Sequence, residues 1–305
     1  KGLYLIIPLI IWLLFYTYLS QVLTGLISLA TIVFAYVLFR LIVERKIKSL
    51  LFLILTFLVG IGFLLNSLFS DPDYNTSSKA DFISMKIEWE KKSDMSFDGL
   101  DNRDQNLKYT LSRFLDSKHL TKNGKGVQSL SRKEIKAIEN GMANVSEMQI
   151  GFWGRVEGLK YQIHQSNDPN GHSLLQRIEA WKAGLEIFRD HPLVGVGTGD
   201  VDDAFTNKYK EKKSKLLPVN QIRAHNSYLT SLLTFGVLGL VLFVTILLVY
   251  IKTQLNYGQI MGFVFMVLMM VTFLFEDTLE TQTGITLFAF FAALYSIQLP
   301  SVKND

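Results

Sequence analysis

The chain has 305 residues, 49% hydrophobic and 19% charged, with no cysteine and a net charge of +4. A soluble domain carries about 25% charged residues, so the composition excludes an ordinary soluble enzyme, a disordered chain and a disulfide scaffold. The lack of Cys also removes thiolate catalysis and cysteine-ligated metal sites.

The charge is unevenly placed. Residues 71–225 hold 24 of the 31 Lys/Arg and 22 of the 27 Asp/Glu. The rest is apolar, so a polar block sits inside a membrane frame. Within the block the two signs nearly cancel and no basic arm forms, which argues against a nucleic-acid partner.

Six uncharged apolar runs follow in chain order: 3–19, 22–39, 50–69, 229–251, 260–275 and 285–299. A spanning helix needs about 20 such residues, so the shorter runs must recruit polar neighbours. The first two, separated by Ser20-Gln21, could also form a bent hairpin. Arg40, Arg45, Lys46 and Lys48 cluster after the second run and make that loop cytoplasmic. Residues 71–225 then lie on the opposite side. So does the loop 276–284, which has no basic residue. A membrane domain of residues 1–70, a loop domain of 71–225 and a membrane domain with a short tail of 226–305 are expected. The fold class is all-α: a polytopic membrane protein of about six transmembrane helices with a large, mainly helical extracytoplasmic loop.

Inside the block, Ser131-Arg132-Lys133-Glu134 has capping-box spacing and predicts a helix over 131–144. Lys208, Lys210, Lys212, Lys213 and Lys215 form the densest basic cluster, read as a solvated helix face or a phosphate and headgroup contact. Residues 177–189 place Ile178, Trp181, Leu185 and Phe188 on one helical stripe, and Pro192 stops that helix. Gly195-Val196-Gly197-Thr198-Gly199 has neither the preceding strand nor the Lys-Ser/Thr of a nucleotide loop. It reads as a tight loop packed on a helix.

The strongest chemical candidate is Arg223-Ala224-His225-Asn226-Ser227-Tyr228, directly before an apolar run. A neutral imidazole accepts a proton near pH 7, and an arginine fork suits phosphate oxygens. The alternative is a solvated helix start capped by Asn226 or Ser227. Glu276, Asp277 and Glu280 crowd the membrane edge, where ionisable groups are functional by default. They could orient His225 or hold sugar hydroxyls, or form a solvated loop. The five histidines have no metal-ligand spacing.

Residues 171–200 and 223–240 resemble the core of the O-antigen ligase and polymerase family, in a Bacteroidetes-like form. Arg177, Trp181, Pro192, Gly195, Gly197, His225, Asn226, Tyr228, Leu229, Gly236 and Gly239 carry the likeness. Members move a glycan from an undecaprenyl-diphosphate carrier to an acceptor hydroxyl at the periplasmic face of the bacterial cytoplasmic membrane. The chemistry is inverting and needs no cofactor or metal. The acceptor is a glycan, the lipid A-core of lipopolysaccharide or a protein, giving ligase, polymerase and protein O-glycosylating variants.

Carried over, the resemblance makes His225 the base. It makes Arg177 the diphosphate contact and Arg223 a second one. Trp181, Asn226, Tyr228, Glu276, Asp277 and Glu280 are expected to support the site or the acceptor. The family often has a Ser-Arg step in an earlier membrane hairpin. Here Ser20-Gln21 stands in its place, so Gln21 at the carrier contact leaves one cation missing, and either Arg155 or Lys160 substitutes for it or the copy is weak or inactive. Members also carry more helices upstream, which makes an N-terminal truncation the expectation for a chain that starts at Lys1. A transporter of polysaccharide or lipid is the reading from a different class. It is disfavoured because the membrane runs lack charge and show no repeat.

Overall fold

The computed structural model describes residues 3–20, 23–69, 80–148, 156, 159–160, 162–163, 169–170 and 173–297. Among these, every regular element is helical and the only β pairing is an isolated bridge between Leu100 and Asn106. Two compact units emerge, Lys1–Gln21 with Gly62–Ser166 and Val22–Ile61 with Asn167–Asp305.

The apolar runs become helices α1 (Leu3–Ser20), α2 (Leu23–Val43) and α3 (Ile47–Phe69). Residues 44–46 turn between the last two, where the basic cluster predicts a loop. No described residue of α3 is buried, which is the signature of a helix solvated by lipid. Among the described residues, three helices are long and apolar enough to span: Thr24–Val43, Ile47–Phe69 and Ser227–Asn256.

The first unit's core is built from α4 (Phe82–Trp89), α5 (Leu107–Ser117), α6 (Gly124–Gln128) and α7 (Arg132–Glu139). Met85, Trp89, Leu111, Phe114, Val127 and Ile138 fill it. The capping box forms: the Ser131 hydroxyl accepts from the Glu134 N–H while Glu134 reaches back to the Ser131 N–H. Helix α7 nevertheless stops at Glu139, short of the expected residue 144. Gly141 follows with φ of 76°, a left-handed glycine that ends helices.

The second unit carries α8 (Ser173–Asp190), α9 (Val201–Glu211), α10 (Ser227–Asn256), α11 (Ile260–Thr272) and α12 (Gln282–Ser296). Helix α8 does not bury the expected stripe. Ala180, Ala183, Gly184 and Ile187 face the core, and Leu185 is 48% exposed. Small residues let the α10 side chains approach closely: a Cβ on Gly184 would lie 3.2 Å from Leu229 Cδ2. Trp181 and Phe188 flank this contact. Lys208 and Lys212 of the basic cluster bind Asp190 at 2.9 Å and Glu186 at 2.6 Å, so part of it ties α9 to α8.

Helix α10 is not the single rod expected over 229–251. Gly236 has φ 66° and ψ −167° and breaks it into residues 227–235 and 237–256. The rings of Tyr228 and Phe243 lie 5.6 Å apart, whereas an unbroken helix would separate those positions by about 22 Å. The Pro192–Gly197 loop fills the break. Val196 N–H donates to Leu233 O at 2.8 Å, Gly197 N–H to Thr234 O at 3.0 Å and Val237 N–H to Pro192 O at 2.9 Å. Each group is one that a helix end leaves unpaired. The glycine-rich loop is thus a backbone cap for a broken helix.

The fit leaves no room for a side chain at Gly195 or Gly236. A Cβ on Gly236 would meet Leu193 O at 2.1 Å, while one on Gly197, also left-handed, would meet nothing within 4 Å. Gly236→Ala should therefore cost more than about 3 kcal/mol, since backbone strain alone is worth about 1–3 kcal/mol. Gly197→Ala should cost only the strain. Thermal unfolding of both variants in detergent checks this, and equal losses would contradict the clamp.

Candidate active site

The site begins with the backbone that carries His225. Ala224 is fully buried and its carbonyl accepts from Trp181 Nε1 at 2.6 Å. The preceding Ile222 carbonyl accepts from Tyr209 Oη at 2.8 Å, and burial pushes the Tyr209 phenol up to about 12. Helices α8 and α9 thus each grip the segment with one aromatic side chain. Between these anchors and α10, His225 takes φ of 44°, a left-handed conformation uncommon for a residue with a side chain. Asn226 then caps α10 by accepting from Leu229 N–H at 3.0 Å.

The turn after α11 supplies the second half. Ser227 N–H donates to Phe273 O at 2.8 Å, and Ser227 Oγ donates to Glu276 O at 3.1 Å. These bonds dock residues 273–281 against the start of α10. The Tyr228 hydroxyl donates to Met270 O at 2.9 Å, and its ring joins Phe243 and Phe273 beneath the turn.

Four acidic side chains, three of them from this turn, then meet three basic ones. His225 Nδ1 lies 2.5 Å from Asp277 Oδ2. Arg177 Nη1 donates to Phe275 O at 2.7 Å, and its Nη2 is 3.6 Å from Glu276 Oε1. Arg223 Nη1 is 2.8 Å from Glu280 Oε2, and its Nε is 3.3 Å from Asp202 Oδ1 on α9. That last pair is an ion pair without hydrogen-bond geometry, because Arg223 Nε is buried with no hydrogen-bond partner among the described residues. Asp277 Oδ1 is buried in the same condition.

The electrostatics follow from this geometry. The hydrogen bond to Asp277 raises the His225 pKa; burial opposes it, the Asp277 charge adds to it, and Arg177 lowers it while Glu276 raises it. With Nδ1–H committed to Asp277, the neutral ring presents Nε2 as its basic nitrogen. Among the described residues no group of three or more His, Asp or Glu is arranged to hold a metal ion.

The structure thus brings together His225, Arg177, Arg223, Trp181, Glu276, Asp277 and Glu280. Asn226 is spent on the helix cap and Tyr228 points into the aromatic layer. Gln21 and Arg155 lie outside the described residues. Asp202 had no signal in the sequence, because one carboxylate on a polar helix resembles any other. Pro192, Gly195 and Gly236 are motif positions whose clamping role depends on a contact between remote segments.

The O-antigen ligase family model matches residues 8–244. The chain belongs to the O-antigen ligase family. It is therefore one of a family of glycan-processing membrane enzymes, and its apolar helices are those of an integral membrane protein. Neither the curated proteins nor the solved structures give a match. Arg177, Arg223 and His225 fall inside the matched span, and their three acidic partners in the 276–280 turn fall beyond it.

Asp277→Asn removes the largest cause of the His225 shift. The imidazole titration, followed by NMR of ring-labelled histidine, should move to lower pH. The sign for stability is fixed by the same shift. A histidine pKa raised by folding contributes stability present in full below about pH 6.5 and lost as pH rises through the folded value. The pH dependence of unfolding should flatten in that window in the variant.

Proposed function

We propose that this protein transfers a glycan from undecaprenyl diphosphate to an acceptor hydroxyl at the periplasmic face of the bacterial cytoplasmic membrane. The observation that carries the reading is the His225–Asp277 pair at 2.5 Å, beside a partly exposed arginine. Asp277 holds the ring so that Nε2 is the base, and it stabilises the imidazolium once a proton arrives. Nε2 takes the proton of the acceptor hydroxyl. The freed oxygen attacks the anomeric carbon as the bond from that carbon to the phosphate oxygen breaks. The diphosphate leaves with the electron pair, and a single displacement inverts the centre.

The leaving group needs its growing charge met by fixed donors. Arg177 suits that task. Its Nη1 is anchored on Phe275 O at 2.7 Å while the paired Glu276 side chain is 43% exposed. The fork is thereby oriented, with a weakly held carboxylate in front of it. No metal or cofactor is invoked in this mechanism. The lipid-linked donor is shared by ligation to lipid A-core, polymerisation and protein glycosylation, and the acceptor separates them.

His225→Ala should lower transfer by about 10²–10⁴-fold, the range of general-base catalysis, with purified protein, lipid-diphosphate glycan and candidate acceptors. Retained turnover would sink the base role. The acidic limb of the rate profile should follow the raised His225 pKa, with activity falling as the ring protonates, and shift to lower pH in Asp277→Asn. Arg177→Lys keeps the charge but loses the planar fork, so the donor KM should still rise. Activity abolished by a chelator and restored by a divalent ion would overturn the metal-free chemistry.

A further inference from the structure

The two arginines of the site are held differently, and the difference separates their roles. Arg223 lies between two carboxylates from different elements, Glu280 at 2.8 Å and Asp202 at 3.3 Å. The Glu280 side chain is only 18% exposed. Its backbone precedes Thr281, whose hydroxyl caps α12 by accepting from Gly284 N–H at 3.1 Å. Arg223 is therefore charge-compensated on both sides and linked to a capped turn. Among the described residues Arg177 has one carboxylate partner, at 3.6 Å, with a side chain 43% exposed. An exposed pair at that distance contributes little and exchanges readily.

Resting on the transferase reading above, we propose that Glu276 is an anionic placeholder displaced from Arg177 by the donor diphosphate. In the same division of labour Arg223, held by Glu280, is a positioning residue and not a second phosphate ligand. Both parts follow from electrostatics. A diphosphate arriving at Arg223 would have to expel a half-buried carboxylate, or share the arginine with two carboxylates already repelling it. At Arg177 it replaces one mobile carboxylate by an anion of the same kind but greater charge. Arg223 instead holds the turn that bears Asp277 through Glu280, 2.8 Å away and 18% exposed, with the 75%-exposed Asp202 as a weaker second contact, and so keeps Asp277 on His225 while the phosphate changes place nearby.

The test uses the full chain in phospholipid nanodiscs, with lipid-diphosphate glycan for turnover and inorganic diphosphate as the binding probe. Glu276→Gln removes the competitor and should tighten diphosphate binding and lower the donor KM by about two- to fivefold. Arg177→Gln should weaken both by tenfold or more. Arg223→Gln should lower kcat at least tenfold with diphosphate affinity and donor KM within twofold of wild type. It should also move the acidic limb of the pH profile, because the Asp277 turn loosens. Arg223→Gln combined with Glu280→Gln leaves no unpaired carboxylate in the turn and should recover part of kcat. That recovery distinguishes positioning from simple loss of fold.

A tenfold rise in KM and in the diphosphate dissociation constant for Arg223→Gln, with kcat kept, would make Arg223 a phosphate ligand and overturn the division. Weaker diphosphate binding by Glu276→Gln would overturn the placeholder. Both failures are legible in an enzyme that still transfers glycan. A wild-type chain that neither transfers glycan nor binds diphosphate overturns the transferase reading, and this proposal with it.

Discussion

The break in α10 at Gly236 is the constraint on which the rest of the site depends. Within a bilayer an unpaired peptide group has no water to turn to, so a helix there breaks only where something replaces the lost bonds. The Pro192–Gly197 loop is that replacement. Its backbone donates to Leu233 O and Thr234 O and accepts from Val237 N–H. This loop is therefore as much a part of the membrane helix as the helix itself. Gly195 and Gly236 at the contact both have positive φ, and a Cβ on either would meet the opposite backbone, at 2.4 Å and 2.1 Å, so their lack of a side chain lets the two backbones approach within bonding distance.

The break has a geometric consequence for the chemistry. Residues 237–256 make a run of about 30 Å, enough for one hydrocarbon layer. The residues before Gly236 fold back instead of extending that run. Tyr228 comes to rest on Phe243 and Phe273, and Ser227 bonds to Phe273 and Glu276. A straight α10 would carry His225 far beyond the end of α11, which is only 13 residues long. The bend and the short α11 are matched, and their match sets His225 against Asp277.

What the sequence revealed and what it concealed divide along a physical line. Apolar runs are local properties, so all six correspond to helices, and the capping box of Ser131 and Glu134 forms as spaced. His225 stood out because ionisable residues flank a membrane run for a reason, and Arg177 because of the family resemblance. The break at Gly236 was hidden: the glycine lies in an unbroken apolar run, and the groups that stabilise the bend come from some forty residues earlier. The α8 face was misjudged because periodicity marks large apolar side chains. Here the close helix contact selects Ala180, Ala183 and Gly184, while Trp181 and Phe188 pack beside it and Leu185 is left exposed. Asp202 meets Arg223 across a fold-back that no spacing rule encodes.

The turn at residues 276–280 lies beyond the family match yet supplies every acidic partner of the three cations except Asp202. Its contribution is best seen from the opposing influences on His225. Burial alone would lower the imidazole pKa and leave a weak base in a poorly solvated site. The Asp277 hydrogen bond reverses that direction, strengthening the base while fixing which nitrogen faces outward. A stronger base is useful only while its unprotonated form remains populated, so the opposing burial and the positive charge of Arg177 are not defects of the design. They restrain a shift that Asp277 would otherwise carry further, and they do so with the same arginine that the proposed transfer assigns to the leaving group. Anything that neutralises Arg177 must therefore also alter the basicity of His225. In the proposed transfer, an arriving diphosphate would raise that basicity at the moment the acceptor proton has to be removed.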